Sequence, residues 1–361
     1  MKKSLIPFIN LIKQPQKFVL ISLLFVLPFT TVIYYGYSDI EERINFVRKK
    51  KIGVEYIQDI KNLLQNAQQD RGMSNAYLSG DTFFEKKLQR KHTQIKDDII
   101  AIDRIEKKYG EILKTTEIWS KIKQKWQKLE DRELSMTPRE SFDAHTEFIA
   151  DILSLIFYAT NTSKLILDPY YDSYYMVDIS INRIPLLTEE LGKIRGLGAG
   201  AIASGAITAH EKIQLLKVSY SIKPAIDAIE RSMQIIYQEN PSLKPRLEDY
   251  FKNTIDSTNV FLAILNDRII NAGHIDIKPD DYFSLATTAI DANFNLFDSL
   301  TSALNELLQS RTEKIIRDRN YIGASLLIIF FFFFSVVVKF RNSLTAQLSA
   351  EENLLKSRIQ L

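Results

Sequence analysis

The stretch Gln68-Gln69-Asp70-Arg71-Gly72-Met73-Ser74-Asn75-Ala76-Tyr77-Leu78 decides how this chain is read. Leading into it, Ile57, Ile60, Leu64 and Ala67 step by three and four, which lines up one face of a helix. The same steps continue to Arg71, Ser74 and Leu78, so Arg71 falls on the inward seam where the pattern asks for an apolar residue. A downstream run repeats the layout: Ile181, Ile184, Thr188 and Leu191 lead to Arg195, Gly198 and Ile202. A guanidinium keeps its charge when buried. Inside a bundle it therefore needs an anion, supplied by the protein or from outside. One reading pairs each arginine with a core carboxylate, or lets it snorkel its head to water. The other gives it a ligand. Gly72, Ser74, Gly196, Gly198 and Gly200 leave room beside the two guanidiniums. Each helical glycine costs about 1 kcal/mol relative to alanine, so some gain in packing or binding offsets it.

Outward from this stretch the chain goes on reading as helix. From about Ser38 to Asn320, breaks fall near Gly80-Asp81, Tyr109-Gly110, Thr137-Pro138, Asp168-Pro169, Ala209, Pro241 and Gly273 to Pro279. They divide the middle into two runs of four segments, the first ending near Leu167 and the second starting at Tyr170. Each Arg-Gly pair closes the first long segment of its own half, an internal repeat the size of a four-helix bundle. Coiled-coil steps recur, as in Leu153, Ile156 and Ala159. No alternating run bounded by turn residues supports strands. The expected fold class is all-α, two four-helix bundles in tandem between two transmembrane helices.

Two apolar runs flank this middle. Phe18 to about Tyr37 approaches the roughly 20 residues a membrane-spanning helix needs. A basic lead-in and the lack of a small-x-small cleavage site favour an anchor over a signal peptide. Tyr321 to Val338 carries no charge and holds five consecutive phenylalanines, Phe330 to Phe334; it reads as a second span. Flanking lysines and arginines lie on both sides of both runs and do not set orientation. The expected domains are 1–17 cytoplasmic N-terminus, 18–37 first span, 38–167 first extracytoplasmic bundle, 168–320 second bundle, 321–338 second span and 339–361 a cytoplasmic signalling-helix stub. The stub itself is too short to be read as an output domain. The first and last middle segments run into the spans without a breaker, so the bundle is coupled mechanically to the bilayer.

Composition narrows the function classes. A formal net charge of +3, spread along the chain, gives no nucleic-acid footprint. With no cysteine there is no disulfide, thiolate nucleophile or zinc-thiolate site. His92, His145, His210 and His274 show neither Glu-x-x-His nor His-x-x-x-His spacing, so neither a metal nor a cofactor is expected. Ala209-His210-Glu211 faintly resembles a phospho-accepting histidine, but Lys212 follows it, no proline comes after, and no glycine-rich nucleotide lobe exists. No nucleophile elbow or P-loop is present. The chain is read as non-catalytic.

The run Gln68 to Leu78 resembles the opening motif of the nitrate- and nitrite-sensing domains of bacterial receptors, in which an acidic-Arg-Gly-x-Ser run closes a long helix. Those domains are all-helical, with two stacked four-helix bundles, and occur in histidine kinases, chemoreceptors, cyclic-di-GMP enzymes and antiterminators. The resemblance implies anion sensing through Arg71 and, by the repeat, Arg195. In the second copy Ile194 replaces Asp70 and Gly198 replaces Ser74. A second stretch, Leu167-Asp168-Pro169-Tyr170-Tyr171-Asp172-Ser173-Tyr174-Tyr175-Met176-Val177-Asp178, with Arg183, Pro185, Leu191-Gly192 and Arg195-Gly196, is similar to a segment in the periplasmic part of many bacterial sensor kinases and chemoreceptors. It implies sensing without naming a ligand. The tyrosines themselves either staple the junction of the halves or wall a pocket there.

The expected function is the input portion of a bacterial transmembrane sensor or chemoreceptor. It binds a small ligand, an anion by the resemblance, at Arg71, Ser74, Arg195, Tyr174 and Tyr175. It works as a homodimer in the inner membrane, multi-pass, with a large periplasmic domain and an output partner left open. Two alternatives stand beside it: a membrane-tethered helical interaction or scaffold protein whose arginines are salt-bridged in the core, and a truncated sensor histidine kinase or diguanylate cyclase.

Overall fold

The structure, a computed structural model, describes residues 14–272 and 274–359. Of the basic N-terminal segment 1–17, residues 1–13 lie outside the described residues, as does Gly273 in the break before Pro279. The fold is all-α: among the described residues none is in a strand. We label the helices α1 (Gln14–Leu78), α2 (Glu85–Leu113), α3 (Thr116–Glu130), α4 (Pro138–Thr162), α5 (residues 171–203), α6 (Ala209–Glu239), α7 (Lys244–Leu265) and α8 (Pro279–Ile359). Helix α5 is built of three contiguous pieces: Tyr171–Val177, a π-helical turn Asp178–Arg183, and Ile184–Ala203.

Local chemistry accounts for most boundaries. Thr137 and Thr208 each cap a helix reciprocally with a glutamate three residues on, Glu140 and Glu211, and Pro138 pre-sets the first turn of α4. The break expected at Tyr109-Gly110 lies instead at Lys114, whose left-handed backbone (φ 58°) stops α2. Gly110 stays helical because it makes room: a Cβ there would stand 1.9 Å from the Glu106 carboxylate and 2.6 Å from Thr116 Oγ1. Glu106 in turn accepts from Tyr56, Thr115 and Thr116 and ties α1 to the start of α3.

Residues 46–309 form one compact unit. Its core is a continuous seam that includes Ile57, Ile60, Leu64, Phe148, Ile152, Leu191, Ile229, Phe261 and Phe297. Helices α1 and α8 run antiparallel, joined by Gln58 to Thr301 (3.2 Å), Lys61 to Asp298 (2.9 Å) and Gln65 to Asp291 (2.8 Å). Helices α1 and α2 are also antiparallel, through Asn66 to Asp98 and Lys108 to Glu55. By contrast α1 and α5, the first helices of the two halves, advance in the same direction: Gln68 reaches Glu189 and Asn75 reaches the Gly196 carbonyl. Gly192, Gly196 and Gly200 all face α1, and a Cβ on Gly196 would lie 3.5 Å from the Gly72 Cα. The two halves therefore share a glycine-lined seam at the level of the arginines.

The second unit comprises residues up to 45 and from 310 onward. Among the described residues one helix, α8, is long and apolar enough to cross a membrane, and its apolar window is wholly exposed. The run expected as the first span, 18–37, lies on α1 with Pro28 inside the helix. Val26, Phe29 and Ile33 of that run line a groove of about 540 Å³ with Leu326, Phe330 and Phe333.

Candidate functional site

Arg71 and Arg195 both have no exposed surface and lie in one layer where α1 meets α5. Helix α1 carries the first and α5 the second; each is set in the core by the three-and-four stepping of its helix. Their surroundings are related by the internal repeat. Arg71 stacks on Phe142 of α4, 5.0 Å from the ring centroid, and donates to Thr146 one turn further (3.0 Å). Arg195 stacks on Phe283 of α8 at 4.7 Å and donates to Thr287, again one turn further (2.9 Å). The glycine after each arginine admits the other half's ring: a Cβ on Gly72 would lie 2.8 Å from Phe283, and one on Gly196 would lie 2.8 Å from Phe142.

The halves differ in charge compensation. Arg71 forks onto Glu189, Nη1 to Oε1 at 2.6 Å and Nη2 to Oε2 at 3.1 Å. Arg195 makes no ion pair among the described residues; besides Thr287 it donates only to the Gln68 carbonyl, at 2.7 Å. Glu189 stands six positions before Arg195, and the matching place before Arg71 holds Gln65, which is neutral and is engaged with Asp291. Nε of both arginines has no hydrogen-bond partner. Burial and the neighbouring Arg71 pull the Arg195 guanidinium down to about 9, so it is still charged at neutral pH. The ion pair in the layer thus belongs to Arg71; Arg195 feels Asp291 and Glu189 only at longer range, and both guanidiniums keep an unfilled N–H donor.

Beside this layer the fold assembles a second polar cluster. Ser74 donates to Glu133 Oε1 (2.9 Å). Glu133, on the short 3₁₀ turn Glu133–Ser135, meets His92 of α2 and His145 of α4, and both rings also reach Asp70 of α1. Burial opposes charge on both rings, yet Asp70 and Glu133 hold His92 up at about 10 and His145 above the ordinary imidazole range.

A family model described as nitrate and nitrite sensing matches residues 62–305, which include both arginines and their stacking rings. The chain belongs to this nitrate and nitrite sensing family. Among solved structures it is similar to that of the NasR transcription antiterminator, with a TM-score of 0.60 and 13% identity over 80% of this chain and 77% of that one. At that identity the likeness concerns the fold. A comparison with curated proteins gives no match.

Within this nitrate and nitrite sensing domain, the residues expected at the site separate into two groups. Arg71 and Arg195 come together, and Ser74 faces the adjoining cluster rather than the guanidiniums. Tyr174 and Tyr175 lie on the first piece of α5, some 20 residues before Arg195, or about 30 Å along the helix. Their rings meet edge to face at 5.2 Å, and Tyr174 is 41% exposed. Close by, Asp168 accepts from Lys50 Nζ (2.8 Å), the Tyr170 N–H and Ser173 Oγ, which staples the junction to α1. Sequence reading did not single out Glu189, Gln68 or the rings under the guanidiniums. The signal for the rings was the Phe-x-x-x-Thr spacing, at Phe142–Thr146 and again at Phe283–Thr287.

Proposed function

We propose that this chain is the input portion of a bacterial membrane receptor that takes up nitrate or nitrite in the Arg71–Arg195 layer. The observation that carries the reading is Arg195: a fully buried cation, held by two neutral acceptors, with an unfilled Nε–H. A small planar anion would supply the missing counter-charge and accept from a rigid guanidinium fork. Access is supported by a groove of about 1040 Å³ whose lining includes Phe142, Asn75, Lys193 and Gly200. Phe142 is also the ring under Arg71, so a rotation of that side chain would open the layer to the groove.

Arg195 touches α1 through Gln68 and α8 through Thr287. Drawing it toward an anion changes the spacing of α1, α5 and α8, and α1 and α8 are the helices that continue into the apolar runs 18–37 and 321–338. Signal would then leave as a small piston or tilt of those helices, with the unit 46–309 outside the cytoplasm. The Arg71–Glu189 fork favours the scaffold reading for the first arginine alone; Arg195 has no such pair.

Thermal unfolding of the full chain in lipid nanodiscs separates the two. The receptor reading expects nitrate or nitrite to raise Tm saturably above chloride at equal ionic strength, reaching about 2.7 kcal/mol of stabilisation at a hundredfold excess over Kd. The scaffold reading expects identical curves in nitrate and chloride.

A further inference from the structure

We infer that Asp70, His92 and Glu133 form a binding site for one divalent transition-metal ion of the zinc class, with His145 orienting Asp70. The three ligands come from α1, α2 and the 133–135 turn, and His145 from α4. Asp70, Glu133 and His145 have no exposed surface, and the His92 side chain is 17% exposed. His145 Nε2 lies 3.1 Å from Asp70 Oδ2 and 3.7 Å from Glu133 Oε2. His92 Nε2 lies 3.4 Å from Asp70 Oδ1 and 3.2 Å from Glu133 Oε2. A tetrahedral ion with ligand bonds of about 2.0–2.1 Å separates its ligand atoms by about 3.3–3.4 Å; the two His92 separations lie close to that value, and one ligand atom from each of Asp70, His92 and Glu133 lies within 4.8 Å of the others. One imidazole and two carboxylates, with water in the fourth position, suit zinc, cobalt, nickel or iron(II); calcium and magnesium prefer all-oxygen shells.

Three further features point inward to a shared cation. Asp70 Oδ1 and Glu133 Oε2 are buried and accept no hydrogen bond, although each lies near His92 Nε2. That nitrogen is about equally far from Asp70 Oδ1 (3.4 Å) and from both Glu133 oxygens (3.3 and 3.2 Å), more acceptors than a single N–H can serve. His145 donates through Nδ1 to the Ser141 carbonyl at 2.7 Å and through Nε2 to Asp70 Oδ2 at 3.1 Å, which turns Asp70 Oδ1 toward His92 and Glu133. Such outer hydrogen bonds are how proteins orient the ligands of a metal ion. Ser74 does the same for Glu133. The competing arrangement holds the two carboxylates with two imidazolium protons and no ion.

Bound there, the ion fastens α1, α2 and the 133–135 turn at Asp70, the residue preceding Arg71. It fixes the rotation of α1 at the arginine layer, whatever that layer binds.

The test uses the full chain in nanodiscs, without a polyhistidine tag, stripped with chelator and titrated with Zn²⁺ or with Co²⁺ as an optical probe. One equivalent per chain is expected, with the intense visible bands of four-coordinate Co²⁺ and a raised Tm. His92→Asn, at the partly exposed ligand, should fold as judged by circular dichroism and lose at least about 100-fold in affinity, beyond what loss of an outer-shell partner costs. Glu117→Gln, an exposed carboxylate of α3 paired with Lys121 away from the site, should bind like wild type. Failure of wild type to hold a stoichiometric ion, six-coordinate Co²⁺ spectra, or unchanged binding in His92→Asn would overturn the assignment.

Discussion

Arg71 and Glu189 meet as a two-pronged ion pair between parallel helices of the two halves, with the arginine wholly buried and the glutamate 5% exposed. Its repeat mate Arg195 has no carboxylate in the matching place. The two arginines therefore respond in opposite ways to removal. Arg71→Met leaves the buried Glu189 carboxylate only Gln68 and the more distant Lys193 (3.8 Å) and should cost about 3 kcal/mol, and Arg71→Met with Glu189→Met should recover most of it. Arg195→Met deletes a buried cation that has only neutral partners, so stability in anion-free buffer should be unchanged or higher. Urea unfolding of the three variants measures the difference.

The glycines at the seam predict a graded series. A methyl at Gly198 would stand 2.3 to 2.6 Å from three atoms of the Tyr282 phenol, which is fully buried and donates to the Ile194 carbonyl. At Gly72 and Gly196 it would press on a single ring carbon at 2.8 Å. Gly198→Ala should be the most damaging, by about 2–3 kcal/mol, and Gly72→Ala and Gly196→Ala should cost about 1–2 kcal/mol, within the usual range for overpacking. Gly323→Ala meets nothing within 4 Å and should gain up to about 1 kcal/mol from helix propensity. Thermal melts under one buffer rank the four.

Asp291 gives a pH-dependent prediction. Burial raises its carboxyl above the usual range, against the pull of the Gln65 hydrogen bond and of Arg195. A carboxyl whose folded pKa is raised binds its proton more tightly when folded, so its contribution to stability falls as pH rises from the unfolded value through the folded one. Asp291→Asn keeps the acceptor for Gln65 and removes that loss. The variant should melt above wild type at pH 7, and the gap should shrink as pH drops below the ordinary carboxylate range. A gap that is constant with pH would show that ionisation of Asp291 is not its cause.

The parts of this site that could be read from the chain were those written in one helix. Three-and-four stepping put Arg71 inside, and it put Arg195 inside even though the π turn Asp178–Arg183 interrupts the phase upstream. The choice of Glu189 as partner was not legible, because it depends on α1 and α5 lying parallel, with 118 residues between the two groups. The histidine cluster was invisible for the same reason. Its members come from four elements, and no spacing rule joins Asp70 to His92, Glu133 and His145. Glycines were read ambiguously: Gly110 as a break, where a carboxylate fills the space, and Gly72 as room for packing or binding, where a phenyl ring takes it up by packing.

Whether Arg195 recruits an external anion is tested most directly by calorimetric titration of the full chain with nitrate, for wild type, Glu189→Gln and Arg195→Met. The account predicts saturable binding by wild type. It predicts tighter binding by Glu189→Gln, where the competing carboxylate is neutral, and no binding by Arg195→Met. Nitrate heats indistinguishable from chloride in wild type, or an Arg195→Met variant that binds as tightly as the parent, would contradict it.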